Sequence, residues 1–297
     1  MTSRFATPKA FLQSLEARLR TEARAQSTDV SRLRQLLVFD RFLARIFLRY
    51  RDAVVLKGGI VVELRLGRAR TTRDIDFRWT GGADDVLEQL RTAGQDDLGD
   101  FLSFEVSPDR HNPELNAAGM AYEGRRFRVE PIMAGKLFAS PFGVDVAFAE
   151  PMTGAVDELP GSDFLAFADI EPVSVRVYPV PTHIAEKLHA FTMPRPSPNS
   201  RVKDLPDIAL LARTKAFAAE ELRAAIRTTF EHRRTHDVPT EVPAAPTFWE
   251  PVYAKMAADD ELMWRTLHEL EVAVRGFLNP VLAGSSGQWN SETWQWK

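Results

Sequence analysis

Apolar residues recur every three or four positions through PKAFLQSLEARLRTEARA, from Pro8 to about Ala25, and again through STDVSRLRQLLVFDRFLARIFLRY. That spacing lays one apolar stripe along each segment and predicts two amphipathic helices before Arg51. The pattern then changes period. AVVLKGG reads as a short apolar strand stopped by glycines, IVVELRLG as a helix closed by Gly67, and TTRDIDFRW as an alternating strand. ADDVLEQLRTAG returns to helical spacing and ends at Gly94, after which FLSFEVS, RRFRVEPIMAG and FGVDVAFAE extend the same sheet.

PMTGAVDELPGSDFLAFADIEP is rich in turn formers and gives way to a β-like VSVRVYPV, so a boundary is expected near Pro179. Beyond it PTHIAEKLHAFTM starts a helix and PRPSPNSR is a loop. KDLPDIALLARTK is a helix interrupted near its start by Pro206, and AAEELRAAIRTTFEHRRTH is another. Prolines make VPTEVPAAPTFWEPVY look extended, and DDELMWRTLHELEVAVRGFL supplies the last amphipathic helix. The expected organisation is N-terminal helices over 1–50, a sheet-bearing core over 51–179, a helical region over 180–282, and a mobile tail over 283–297. The first two regions and the third together define a mixed α/β (α+β) protein.

Composition narrows the chemistry. The 297 residues are 44% hydrophobic and 27% charged with a net charge of −3, which does not suit a protein that coats nucleic acid by bulk charge. No window approaches the length of a membrane span, and the start lacks a secretory apolar region, so a cytoplasmic protein is expected. Zero cysteines and six scattered histidines exclude thiolate sites and argue against zinc. Any metal is therefore expected to be a hard cation on oxygen ligands.

Residues two apart on a strand share a face, so Asp74 and Asp76 present two carboxylates roughly 7 Å apart at the backbone. Either the flanking Arg70, Arg73 and Arg78 neutralise them, or a divalent cation such as Mg²⁺ does. The Gly58-Gly59 turn from strand into helix exposes backbone N–H groups that a phosphate can approach.

LKGGIVVELRLG joined to RTTRDIDF resembles the signature of the nucleotidyltransferase superfamily, and specifically the AbiEii/MenT-type toxin nucleotidyltransferases. IAEKLHAF followed by SRVKDLPDIALL is similar to that family's second block. The resemblance implies a nucleotidyltransferase-like mixed sheet, with Asp145 in GVDVAFAE as a third carboxylate. It further implies an NTP substrate and Mg²⁺, two ions being expected from the chemistry of the transfer, on Asp74, Asp76 and Asp145. Many relatives carry Ser or Thr after Gly-Gly where this chain has Ile60, so Lys57 or backbone amides of Gly58 and Gly59 would bind the phosphates instead.

Lys187 lies one helical turn from His183 and is the candidate to reach a phosphate as a mobile point charge, with Glu186 expected to point elsewhere. Lys57 and Arg73 are second candidates. Asp204 and Asp207, three apart on a helix, either orient Lys187 and Arg201, with Asp204 joining the nucleotide site, or act as helix-dipole partners. Arg223, Arg227, Arg233 and Arg234, with His232 and His236, form a candidate RNA-binding surface. Trp249 and Tyr253 could stack a base, though core packing is the simpler reading. The resemblance implies the tRNA acceptor end as the nucleotide's target and a cognate antitoxin as partner, and no membrane association is expected. Two rival readings are NMP transfer to a protein hydroxyl and a non-catalytic nucleotide-binding module.

Overall fold

The structure is a computed structural model describing residues 4–67, 72–114, 124–148 and 150–297. Its first helix, α1 (Pro8–Ala25), starts where the Thr7 hydroxyl accepts a bond from the Ala10 N–H, and it buries Phe11, Leu15 and Leu19 along one stripe. The Asp29 carboxylate caps α2 (Val30–Tyr50) through the Ser31 N–H. α1 packs on α2, and α2 lies against a sheet through Phe39, Phe42 and Phe47, each at most 2% exposed, whose rings meet Phe142, Phe104 and Phe77.

The sheet is built from β1 (Val54–Lys57), β2 (Asp74–Trp79), β3 (Leu102–Pro108), β4 (Gly124–Met133), β5 (Lys136–Leu137), β6 (Phe142–Phe148), β7 (Asp157–Leu159) and β8 (Val175–Val177). Helix α3 (Gly59–Leu66) joins β1 to β2, and α4 (Val86–Gly94) follows β2. The strands run in the order β3-β4-β6-β2-β1-β8-β7, with β5 added onto β4. β2 pairs parallel with β6 and β1 parallel with β8, while the other pairings are antiparallel, so the sheet is mixed.

Register positions the chemistry. Lys57 is opposite Asp76, Asp76 opposite Asp145, and Asp145 opposite Arg126, so one transverse row across four strands carries the charges plus, minus, minus, plus. Buried Ile75, Phe77, Val144 and Val146 flank the two aspartates along the strands and hold that register, because a one-residue slip would exchange them for carboxylates in the core.

The second half comprises α5 (Val180–Thr192), α6 (Asp204–Ala212), α7 (Ala219–Arg233), α8 (Glu250–Asp259), α9 (Leu267–Leu282) and a hairpin of β9 (Trp289–Asn290) with β10 (Gln295–Trp296). Its apolar side chains form a separate cluster from Val180 to Trp289, joined from the first half by Val62 of α3. Among the described residues, no helix is long and apolar enough to cross a membrane.

Several expectations change. Pro206 does not interrupt α6, because it sits in the first turn, where its missing N–H costs no helical bond. The stretch expected to be extended instead makes a 3₁₀ turn at Thr247–Trp249 and enters α8, with Pro251 again tolerated in a first turn. The last helix starts only at Leu267, where Thr266 and Glu269 make a reciprocal capping box, so DDELMWRT lies outside it. The tail is a packed hairpin and not a mobile linker. Trp289 is 1% exposed and donates to the Ala212 carbonyl at 2.7 Å, and the indoles of Trp294 and Trp296 donate to Ala273 and Phe277. Trp249 and Tyr253 are buried at 1% and 0% exposure, which removes them as stacking platforms.

Candidate active site

Gly58 turns β1 into α3 at φ 73°, ψ −162°. A Cβ there would lie 1.9 Å from the Asp76 Oδ2, so the glycine makes room for the aspartate on the neighbouring strand. Gly143 does the same for Asp74, since its Cβ would meet Oδ1 at 2.5 Å. The Gly58-Gly59 turn, expected from sequence to face a phosphate, thus also clears space for Asp76, and the matching duty of Gly143 depends on the pairing of β6 with β2.

Asp74 is exposed on the cavity side, whereas Asp76 keeps only a partial opening to solvent. Burial, reinforced by the neighbouring Asp145, pushes the Asp76 carboxyl up to about 7, despite opposing charges from Lys57 and Lys187. Asp145 stands beside it as expected, but both its oxygens are engaged. Arg126 Nε donates to Oδ1 at 2.7 Å and Nη2 to Oδ2 at 2.6 Å, a two-pronged pair that raises the Arg126 pKa. Among the described residues, no three His, Asp or Glu side chains converge as a metal-binding group.

The helical half faces this row with α5 and α6. Lys187 is not a mobile charge: its Nζ lies 2.8 Å from Asp207 Oδ2 and 3.4 Å from Asp204 Oδ1, both carboxylates being buried. These aspartates contact Lys187, Arg201 approaches Asp204 at 4.0 Å, and both also stand in the first turn of α6, where the helix dipole favours them. Glu186 does not point elsewhere. It lines the same cavity, 3.2 Å from Arg233 and 3.5 Å from Lys57.

Behind Glu186, the buried Glu150 is ion-paired with Lys57, accepts from Arg233 Nη2 at 3.0 Å and lies 3.3 Å from the Tyr178 hydroxyl. Burial alone would raise the Glu150 pKa, but Lys57 and Arg233 together hold it below the usual carboxylate value. Glu186, partly exposed to the cavity, is shifted upward by desolvation and by the neighbouring Glu150. Arg233 Nη1 also reaches His189 Nδ1 at 3.3 Å, and burial, with Arg233, drops that imidazole to about 3. His183 is buried and, through desolvation, stays neutral.

These groups enclose a cavity of about 400 Å³ lined from both halves, a size suited to a small ligand. Eight lining side chains are Lys or Arg against five Asp or Glu, so the site favours a polyanion despite the acidic chain. Arg73 lines it as anticipated; Arg78 instead donates to the Glu150 carbonyl at 2.6 Å, and Arg70 lies outside the described residues. Arg195, Arg201 and Lys203, from the loop between α5 and α6, complete the basic rim.

The basic run of α7 does not form one surface. Arg233 points into the cavity, Arg223 binds the carbonyls of Val281 and Ser285 at the end of α9, and Arg227 and Arg234 are exposed. His236 is paired with the Thr192 hydroxyl at 2.8 Å, and His232 is only partly exposed.

Residues 41–272 match the family described as nucleotidyl transferase AbiEii toxin of the type IV toxin–antitoxin system. Among solved structures, MenT4, a nucleotidyltransferase toxin from Mycobacterium tuberculosis, is similar with a TM-score of 0.52 and 14% identity, covering 94% of this chain and 92% of that one. JHP933 from Helicobacter pylori gives a TM-score of 0.48 and 13% identity over 84% of this chain and 92% of that one. No curated protein matches significantly by sequence. At such identities the likeness to MenT4 shows a common fold.

Proposed function

The chain belongs to the AbiEii family of nucleotidyltransferase toxins of type IV toxin–antitoxin systems, and on that premise we propose that it transfers a nucleoside monophosphate from an NTP to an RNA 3′-hydroxyl, with the tRNA acceptor end as target. An NTP substrate and an antitoxin partner follow from the family; the RNA acceptor and a cytoplasmic site of action are our reading. The observation that supports it is one cavity in which Asp74 and Asp76 face Lys187 from the other half of the chain.

Asp74 and Asp76 would hold Mg²⁺. The donors are hard oxygens, and the Asp76 carboxyl, raised to about 7 beside a second carboxylate, is a site whose charge a cation would relieve. Mg²⁺ commonly takes one or two protein carboxylates and completes its shell with water and substrate phosphates. When bound, such an ion neutralises charge developing on the phosphoryl oxygens. Lys187, fixed by Asp207 and Asp204, supplies a preorganised positive charge for the polyphosphate. The α3 N-terminus brings Gly58 and Gly59 beside Asp76, where their backbone suits an anion. Arg195, Arg201 and Lys203 at the rim would bind the acceptor's backbone. The reaction forms a bond from the acceptor oxygen to the α-phosphorus and breaks the α–β bridge, releasing pyrophosphate, while the hydroxyl proton passes to solvent water.

The test incubates the protein with Mg²⁺, each α-labelled NTP in turn and total RNA, beside Asp76→Ala. Label in a tRNA-sized band that depends on Asp76 is the expected result. No label in RNA with any NTP would end the RNA reading, and RNase-resistant label in the protein fraction would move the acceptor to a protein hydroxyl.

A further inference from the structure

The transverse row across β1, β2, β6 and β4 ends on Arg126, a residue that no sequence motif singled out. Arg126 and Asp145 are direct cross-strand partners, and the guanidinium fork takes one N–H donor to each carboxylate oxygen at 2.7 and 2.6 Å. A guanidinium is planar, so using Nε and Nη2 on Asp145 directs Nη1 away from that carboxylate. The Arg126 side chain keeps 38% of its surface and lines the cavity, whereas Asp145 keeps 15%.

Charge then decides the cation count. With Asp145 paired to Arg126 and Lys57 paired with Glu150, the carboxylates not matched by a cross-strand cation are Asp76 in the row and Asp74, two residues along the same strand opposite Gly143. One divalent ion balances them. A second ion on Asp145 would sit against a guanidinium held by two charge-assisted bonds, and like charges at that range repel.

Resting on the nucleotidyltransferase reading above, we propose that Arg126 takes the place of a second metal ion: it contacts the polyphosphate, Asp145 is its positioning residue, and Asp74 and Asp76 alone hold the divalent cation. Arg126 brings the positive charge that a second ion would bring, without a metal to recruit. Asp145 fixes the fork's orientation and is not itself a ligand.

The experiment measures Mn²⁺ binding to the full chain by electron paramagnetic resonance. Separately, it measures binding of a non-hydrolysable NTP analogue by calorimetry at saturating Mn²⁺. The unaltered protein, Asp76→Asn, Asp145→Asn, Arg126→Gln and the Asp145→Asn/Arg126→Gln double variant are compared, with melting curves on each. The expected result is one Mn²⁺ per chain without nucleotide, weakened about tenfold or more by Asp76→Asn and changed less than about twofold by Asp145→Asn. Asp145→Asn and Arg126→Gln should each weaken the analogue about tenfold, and the double variant no more than either alone.

Loss of Mn²⁺ affinity in Asp145→Asn equal to that in Asp76→Asn would overturn the proposal. So would two Mn²⁺ per chain, tighter Mn²⁺ binding in Arg126→Gln, or additive losses in the double variant. Should Asp145→Asn fail to fold, Arg126→Gln, on a partly exposed side chain, still decides: unchanged analogue affinity overturns the proposal. If the unaltered protein binds Mn²⁺ but no nucleotide, the nucleotidyltransferase reading itself fails and takes this inference with it.

Discussion

Replacing Gly58 with alanine tests the geometry of the site most directly, because two independent penalties meet at that position. Its φ of 73° and ψ of −162° lie in a backbone region almost restricted to glycine, and holding alanine there costs about 1–3 kcal/mol. The new Cβ would also stand 1.9 Å from Asp76 Oδ2 and 2.6 Å from its Cγ. No contact that short survives, so Asp76 must leave its rotamer, at about 0.5–1.5 kcal/mol, or β2 must shift against β1. Together these give a loss of about 1.5–4.5 kcal/mol from a domain stability of about 5–15 kcal/mol, leaving a folded chain whose aspartate is misplaced. Gly67, at φ 68° with nothing within 4 Å, is the control: its alanine variant bears a backbone penalty but no collision. Urea unfolding and label incorporation are measured on both variants. Gly58→Ala should lose stability and nearly all transfer, and Gly67→Ala only some stability. Full transfer by Gly58→Ala, or equal loss by both, would refute the reasoning.

Asp76 folds with its carboxyl raised to about 7 from 3.8, so the folded chain binds its proton more tightly than the unfolded one, and metal-free stability should fall as pH rises from about 4 to 7. Asp76→Asn should flatten that fall, as urea unfolding in chelator at acid and neutral pH would show. Lys187→Met would remove the ammonium 2.8 Å from the buried Asp207 and 3.4 Å from the buried Asp204, costing about 3–5 kcal/mol in addition to transfer activity, read by melting and by labelling. Trp289→Ala should cost about 3–5 kcal/mol in chemical denaturation, because the indole fills the second core and donates to Ala212. Reversing charge at Arg201 and Lys203 should weaken RNA binding and shallow its salt dependence, whereas Arg223→Ala should leave the salt slope unchanged in filter binding.

Local chemistry was legible in the sequence wherever it depended on residues near one another along the chain. The alternation around Asp74 and Asp76 gave a strand, Gly58-Gly59 gave its entry into a helix, and the Asp204–Asp207 spacing gave one face toward Lys187. Contacts set by pairing across the sheet were not legible. Arg126 meets Asp145 only because β4 lies against β6 in one register, and Lys57 of β1 meets Glu150, 93 residues on in the segment after β6, only through the tertiary fold. Helical periodicity also misled at Glu186, since the cavity spans more than one face of α5 and takes in both Glu186 and Lys187. Linker composition misled at the tail, where glycines and serines flank tryptophans that reach a distant core. Periodicity records which face is apolar; it carries no information on which remote element covers it.

The distribution of tryptophan gives the protein an uneven optical record of itself. Trp79, on the same strand as Asp74 and Asp76, is the sole indole in the sheet half, packed 5.3 Å from Tyr50. Trp249, Trp264, Trp289, Trp294 and Trp296 belong to the helical half, and the last four stack among themselves and Phe277 within about 6 Å. Ultraviolet emission therefore watches the helices and the tail, and a sheet that loosened on its own would barely dim it. Subtracting the spectrum of Trp79→Phe isolates one lamp three residues from Asp76, the only native light on the strand that carries the chemistry.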